Sequence, residues 1–205
     1  MAHIITLEGE HGYQRKLDDG SLVPVPSISE VLRFLTREIY SDINQYTLDK
    51  AAERGTRIHK ACEVLDLYHE VNCDDDIVPQ VSAYAQFLKD VKPKWTEIEK
   101  PFDCPELNIA GTPDRVGFMF SKSSKLDIKA QEQLKLHYVS AQLNGYDKGK
   151  PTDLLYCLQL LKNGKYKLIE IPHDDTVFMA CLTLHRLFEK KGRRKKNEDG
   201  NALAG

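Results

Sequence analysis

The chain predicts an α/β (α+β) fold in which a mixed β-sheet is flanked by helices. Two observations carry that expectation. The first is order: helical periodicity dominates residues 27–91, short strands with turn signals fill 95–130, and helix, hairpin and helix follow to about 191. The second is size: 205 residues with 41% hydrophobic content suffice for one core that buries roughly 70% of the unfolded surface. Residues 1–190 are expected to form a single domain, with 1–24 as an N-terminal hairpin and 191–205 as a basic, flexible tail.

Taken in order, residues 3–8 and about 12–17 read as two short strands, with polar Gly9 to His11 as the turn between them and Asp18-Asp19-Gly20-Ser21 as a second turn. Ser27 or Ser29 caps a helix in SISEVLRFLTREIY, where Val31, Leu32, Leu35 and Ile39 recur at helical spacing. A longer helix runs from about 47 to 70. Gly55 inside it costs about 1 kcal/mol relative to Ala, which points to close packing or a kink. An acidic loop at 72–79 leads into a helix over Pro79 to Val91, with Val81, Tyr84 and Leu88 on one face. Residues 95–103, 107–111, 114–120 and 124–130 read as strands, the last two joined by a polar Ser-Lys-Ser-Ser loop. A helix over about 134–147 precedes strands 154–161 and 165–171, which Asn163-Gly164 joins with a two-residue hairpin signal. The last helix spans about 174–191.

Lys plus Arg is 29 and Asp plus Glu is 31, a net charge of −2. As an average that disfavours nucleic acid, since phosphate contacts call for a basic excess. The charge is unevenly spread, however. Removing the six basic residues of Lys190 to Lys196 from the total of −2 leaves the rest of the chain at −8. No stretch approaches the ~18 apolar residues of a membrane span, and the N-terminus has no basic and apolar pattern of a secretory signal. A cytoplasmic protein with no membrane partner is therefore expected. The five cysteines are odd in number and none stands in a CxxC pair, which fits reduced thiols and neither a disulfide framework nor a metal cluster.

Four short segments carry chemistry. In Leu126-Asp127-Ile128-Lys129-Ala130, strand alternation points Asp127 and Lys129 the same way. An acid and an amine side by side suit a metal ligand and a base or charge stabiliser, although this pattern alone recurs by chance on exposed strands. Thirteen residues upstream, Asp114 in GTPDR sits on the adjacent antiparallel strand and can stand beside Asp127. Two carboxylates forced together repel, and a hard divalent cation relieves the repulsion. Strict alternation also places Asp114 on a face with Val116, Phe118 and Phe120, which read as core; Pro113 and Gly117 suggest an irregular strand that re-aims the carboxylate. In RGTRIHKACE, His59 and Glu63 lie four apart on one helix face, as do Gln142 and Tyr146 in QLNGY. The imidazole offers a nitrogen ligand, and the amide and phenol suit a phosphate or the orientation of Lys129.

In order and spacing, RGTRIHKACE, GTPD, LDIKA and QLNGY resemble the PD-(D/E)XK nuclease superfamily, in its RecB-like exonuclease branch, and VPSISEVL is similar to phage and prophage members. The likeness covers roughly residues 25–190. It implies a restriction-endonuclease-like sheet. It also implies metal binding by His59, Asp114, Asp127 and the backbone oxygen of Ile128, with Glu63 as a weaker, outer candidate. Lys129 would be catalytic together with Asp127 and Asp114. Gln142, Tyr146, Arg54, Arg57 and Thr112 would contact DNA. Ala130 departs from relatives that carry Thr or Ser after the lysine, and the cysteines lack the iron–sulfur pattern of other branches, so no cluster is expected.

The resemblance thus implies a DNA nuclease dependent on one or two Mg²⁺ or Mn²⁺ ions, an exonuclease of recombination, repair or processing in a bacterial or phage-infected cell. Its partner would be linear single- or double-stranded DNA, with room for a recombination or single-strand-binding protein. The alternative is a non-catalytic DNA-binding accessory protein on the same fold, against which the intact Asp114, Asp127 and Lys129 argue. An unrelated hydrolase of small phosphoesters is a third reading.

Overall fold

Three short antiparallel strands open the computed structural model, which describes the backbone of residues 3–6 and 12–201 and the side chains of 12–188. They are β1 (His3–Thr6), β2 (Tyr13–Lys16) and β3 (Leu22–Val25), in that spatial order. The expected hairpin thus gains a third strand. Pro24 hides it in the sequence, yet β3 is an edge strand, where a missing N–H costs nothing. The turn expected at Gly9 to His11 and the end of the tail, 202–205, lie outside the described residues. Arg15 ties this sheet to the body, with Nε and Nη2 on the Asp103 carboxylate at 2.7 and 2.6 Å and Nη1 on Asn108 Oδ1 at 2.8 Å.

Ser27 and Glu30 form a reciprocal capping box that starts α1 (Ile28–Val31). The chain then bends at Leu32 into α2 (Arg33–Ile39), so one expected helix is two. Helix α3 (Gln45–Tyr68) is capped by the Asn44 side chain and ends on a left-handed His69. Helix α4 (Val78–Val91) carries Pro79 in its first turn. Then come β4 (Lys94–Ile98), β5 (Phe102–Cys104), β6 (Ile109–Gly111), β7 (Arg115–Met119), β8 (Lys122–Lys129), α5 (Leu136–Asp147), β9 (Leu154–Leu160), β10 (Tyr166–Ile171) and α6 (Thr176–Asn201). The backbone of α6 is therefore helical well beyond the expected end near 191. Among the described residues, no helix is long and apolar enough to cross a membrane.

The central sheet runs β10-β9-β8-β7-β4, with only β8 and β9 parallel, and α5 makes the crossover between them. Ile28, Val31, Leu143, Leu155, Cys157 and Phe178 build a core between one face and α1, α5 and α6. Ile58, Tyr84, Phe87, Leu126, Ile128 and Leu158 build the other under α3 and α4. The fold is thus the expected mixed sheet flanked by helices. All five cysteines are free thiols.

Two hairpins differ from expectation. The polar 121–124 loop is mostly strand: the turn is Phe120-Ser121, both left-handed at φ 52° and 64°, and Met119 pairs with Lys122. Partners make this possible, because Ser123 Oγ donates to Asp153 at 2.6 Å and buried Lys125 Nζ donates to Asp147 Oδ1 at 2.9 Å. Between β9 and β10 the reversal is longer than two residues. Leu161 N–H donates to the Lys165 carbonyl, and Gly164 is left-handed where Asn163 is not.

Candidate active site

Along β8, Leu126 and Ile128 enter the core beneath α3 and α4. Alternation then turns Asp127 and Lys129 to the α5 face. Arg115 pairs with Leu126 across β7 and β8, which sets the preceding residue, Asp114, beside Asp127 on that face. Asp114 Oδ2 accepts the Ile128 N–H at 2.5 Å, a bond that ties the two strands together at this point. The expected conflict with a core face is only partial: Val116 is buried, but the two phenylalanines are not. Phe118 is 48% exposed and Phe120 59%, so regular alternation suffices and the carboxylate needs no re-aiming.

Gly117 serves β4 instead. A Cβ there would collide with the Lys94 carbonyl and lie 2.7 Å from Trp95 Cα. At this close approach β4 carries a bulge between Trp95 and Glu97, after which Ile98 pairs with Arg115. Without the extra residue Ile98 would stand opposite Asp114; with it, Glu99 does, and the Glu99 N–H donates to the Asp114 carbonyl at 3.0 Å. Glu99 itself is left-handed, at φ 46°.

Helix α3 brings His59 to the same point. Its Nδ1 lies 3.3 Å from Asp114 Oδ1 and 3.9 Å from Glu99 Oε1. Ligand atoms of His59, Glu99 and Asp114 all fall within 4.8 Å of one another. Glu99 has no place among the expected ligands, and Glu63, which does, is drawn away to Lys60 Nζ at 2.7 Å. Asp127 is not in that three-residue group; its Oδ2 lies 2.8 Å from Lys129 Nζ. Lys129 also donates to Gln142 Oε1 at 3.0 Å, and Gln142 Nε2 donates to the Tyr146 hydroxyl at 2.9 Å, so the helical pair orients the lysine. Thr112 bonds the Tyr13 hydroxyl at 2.8 Å, a contribution of β2 that no sequence motif signals. Arg54 is held by the Asp76 carbonyl and Gln80, and Arg57 by Asp74 and Asp76. Both arginines therefore serve the acidic loop here.

These neighbours set the charge states. Burial favours a neutral Asp114, yet the positive charge and hydrogen bond of His59, the charge of Lys129 and the Ile128 N–H outweigh it and hold the carboxyl at about 2. Burial likewise opposes the His59 imidazolium, but Asp114 and Glu99 lift it to about 10. Asp127 is pushed up to about 6 by burial and by the charge of Asp114, against the pull of Lys129. Lys129 is raised: burial opposes its charge, and Asp127 with Asp114 more than restores it. The site thus holds three acids, an imidazole and an ammonium in compensation, and the acids and imidazole are oxygen and nitrogen donors that suit a hard divalent cation.

No family model and no curated protein sequence matches the chain. Among solved structures, LHK-Exo in complex with dAMP aligns at TM-score 0.50 and 14% identity, covering 88% of this chain and 95% of that one. An alkaline exonuclease (LHK-Exo) from Laribacter hongkongensis aligns at TM-score 0.45 and 16% identity, covering 84% and 93%. The likeness is one of fold, a restriction-endonuclease-like mixed sheet with flanking helices.

Proposed function

We propose that this chain is a divalent-metal-dependent DNA nuclease of the PD-(D/E)XK type, an exonuclease of the RecB-like branch that hydrolyses phosphodiester bonds without an iron–sulfur cluster. The observation that carries the reading is the convergence of His59, Glu99 and Asp114 beside the Asp127–Lys129 pair. The donor set fits Mg²⁺ or Mn²⁺: two carboxylates and an imidazole meet within 4.8 Å, and Asp114 is buried. The same fold in a chain solved with dAMP adds support for DNA as substrate.

His59, Glu99 and Asp114 would hold the cation, with Asp127 joining once its pairing with Lys129 relaxes. When bound, the cation supplies charge neutralisation at the scissile phosphate and a lowered pKa for the attacking water. Lys129 is kept protonated by Asp127 and aimed by Gln142. It therefore acts as a donor to the developing phosphate charge, and becomes a base only if the site lowers its pKa. Tyr146 fixes the Gln142 amide and so the direction of Lys129. For Arg54 and Arg57 to contact DNA they must exchange Asp74, Asp76 and Gln80 for phosphate oxygens. The basic run Lys190 to Lys196 adds backbone attraction that weakens with salt.

The test is incubation with linear single-stranded, linear double-stranded and closed circular DNA, each with Mg²⁺, Mn²⁺ or EDTA. Release of nucleotides from linear DNA only, and only with metal, is expected. DNA binding with no cleavage in any metal would instead indicate the non-catalytic accessory role, and turnover confined to small phosphoesters would rule out both.

A further inference from the structure

Behind Glu99 lies a cation that the chemistry above does not use. Arg115 is fully buried, 0% exposed. Its Nε donates to Asp66 Oδ2 at 2.6 Å, and the Tyr84 hydroxyl donates to the same oxygen at 2.7 Å. Its Nη1 donates to Glu99 Oε1 at 3.2 Å and to the Asp114 carbonyl at 2.6 Å. Its Nη2 makes no hydrogen bond.

A guanidinium that only neutralised Asp66 would present it with the two parallel N–H bonds of a fork. Arg115 gives Asp66 a single N–H and turns another toward Glu99 and Asp114 together. The brace is drawn from rigid elements: Asp66 from α3, Tyr84 from α4 and Arg115 from β7. Glu99 belongs to none of them. It follows the end of β4 in a left-handed conformation, its side chain is 30% exposed, and Arg115 at 3.2 Å stands nearer its Oε1 than His59 at 3.9 Å.

We propose that Arg115 is a positioning residue: braced by Asp66 and Tyr84, it fixes the Glu99 carboxylate opposite Asp114 and thereby sets the affinity of the site for a divalent cation. The proposal rests on the reading of His59, Glu99 and Asp114 as cation ligands. It differs from a purely structural role for a buried ion pair, which would leave cation affinity of the folded protein unchanged.

The experiment is calorimetric titration of the full chain with Mn²⁺, for wild type, Arg115→Lys, Glu99→Gln and the double variant. Lysine keeps the charge and loses the fork, so the comparison isolates orientation. Arg115→Lys is expected to weaken Mn²⁺ binding about 10-fold, the low end of what outer supports of metal ligands are worth. In the Glu99→Gln background the same change is expected to alter binding less than about twofold, because its route to the cation is gone. An equal loss in both backgrounds, or none in either, overturns the proposal. Should Arg115→Lys fail to fold, Tyr84→Phe removes only the hydroxyl that braces Asp66; the same cycle then applies, with a loss confined to the Glu99 background expected and equal effects in both contradicting it. Wild-type protein that takes up no Mn²⁺ would overturn the metal-site reading itself, an outcome separable from the others, and the proposal with it.

Discussion

At single side chains, the direction in which an acid is held decides whether it meets the other donors. Glu63 is satisfied by Lys60, whereas Glu99 faces His59 and Asp114. Glu99→Gln is therefore expected to weaken the Mn²⁺ dependence of DNA cleavage about 10- to 100-fold. Glu63→Gln should leave the same titration curve within about twofold. A second expectation concerns protons. As a metal ligand His59 would have to be the neutral imidazole, yet Asp114 and Glu99 keep it protonated up to about pH 10. Cation uptake must expel that proton, so between pH 6 and 8 Mn²⁺ affinity should rise by about tenfold per pH unit, with calorimetric heats that vary with the buffer. The sign for the metal-free fold is opposite. Because the folded pKa lies above the usual 6.5, the stabilisation is full below pH 6.5 and fades as pH rises toward 10. A pH-independent affinity would contradict this pairing. Much of the site was legible in the sequence, since strand alternation fixes Asp127 with Lys129 and helical spacing fixes Gln142 with Tyr146. Glu99 was not. Alternation from Trp95 selects Ile98 to face Asp114, and only a bulge, which leaves no mark in WTEIEKPFD, substitutes the glutamate.

Among the elements, the pairing of β4 with β7 carries the most consequence. Gly117 admits the β4 backbone at the bulge, and the bulge delivers Glu99. Gly117→Ala should therefore cost about 1–3 kcal/mol in urea unfolding, as overpacking against a fixed backbone does. It should also weaken Mn²⁺ binding, because the register beyond the bulge must shift. An alanine variant of wild-type stability would show that the close approach is dispensable. Element types were read correctly through most of the chain because period and turn residues agree there. The misreadings have identifiable causes. Leu22-Val23-Pro24-Val25 forms an edge strand despite its proline. The polar Ser-Lys-Ser-Ser segment reads as a turn, yet Asp153 satisfies its Ser123, and Asp147 the following Lys125, inside the sheet. Reversal then falls on Phe120-Ser121, a left-handed pair that lacks the glycine normally marking such a turn.

Over the whole molecule, a net charge of −2 conceals a division that the average hides. Asp74 and Asp76 are spent on Arg57. Asp66 and Arg115 cancel in the interior, and the site acids are balanced locally by His59 and Lys129. The two cores on opposite faces of the sheet leave β7 and β8 between them as a rigid mount, so loss of a site side chain should spare the fold. Lys129 is the sharpest case. Its removal leaves Asp127 buried, but that carboxyl, at about 6, lies close enough to neutrality to take up a proton instead. The most direct measurement is the rate of nucleotide release from linear DNA in Mg²⁺ for wild type and Lys129→Ala, with folding checked by thermal unfolding. The account predicts a folded variant whose rate falls by about 10²- to 10⁴-fold. A folded Lys129→Ala protein that cleaves at the wild-type rate would contradict it.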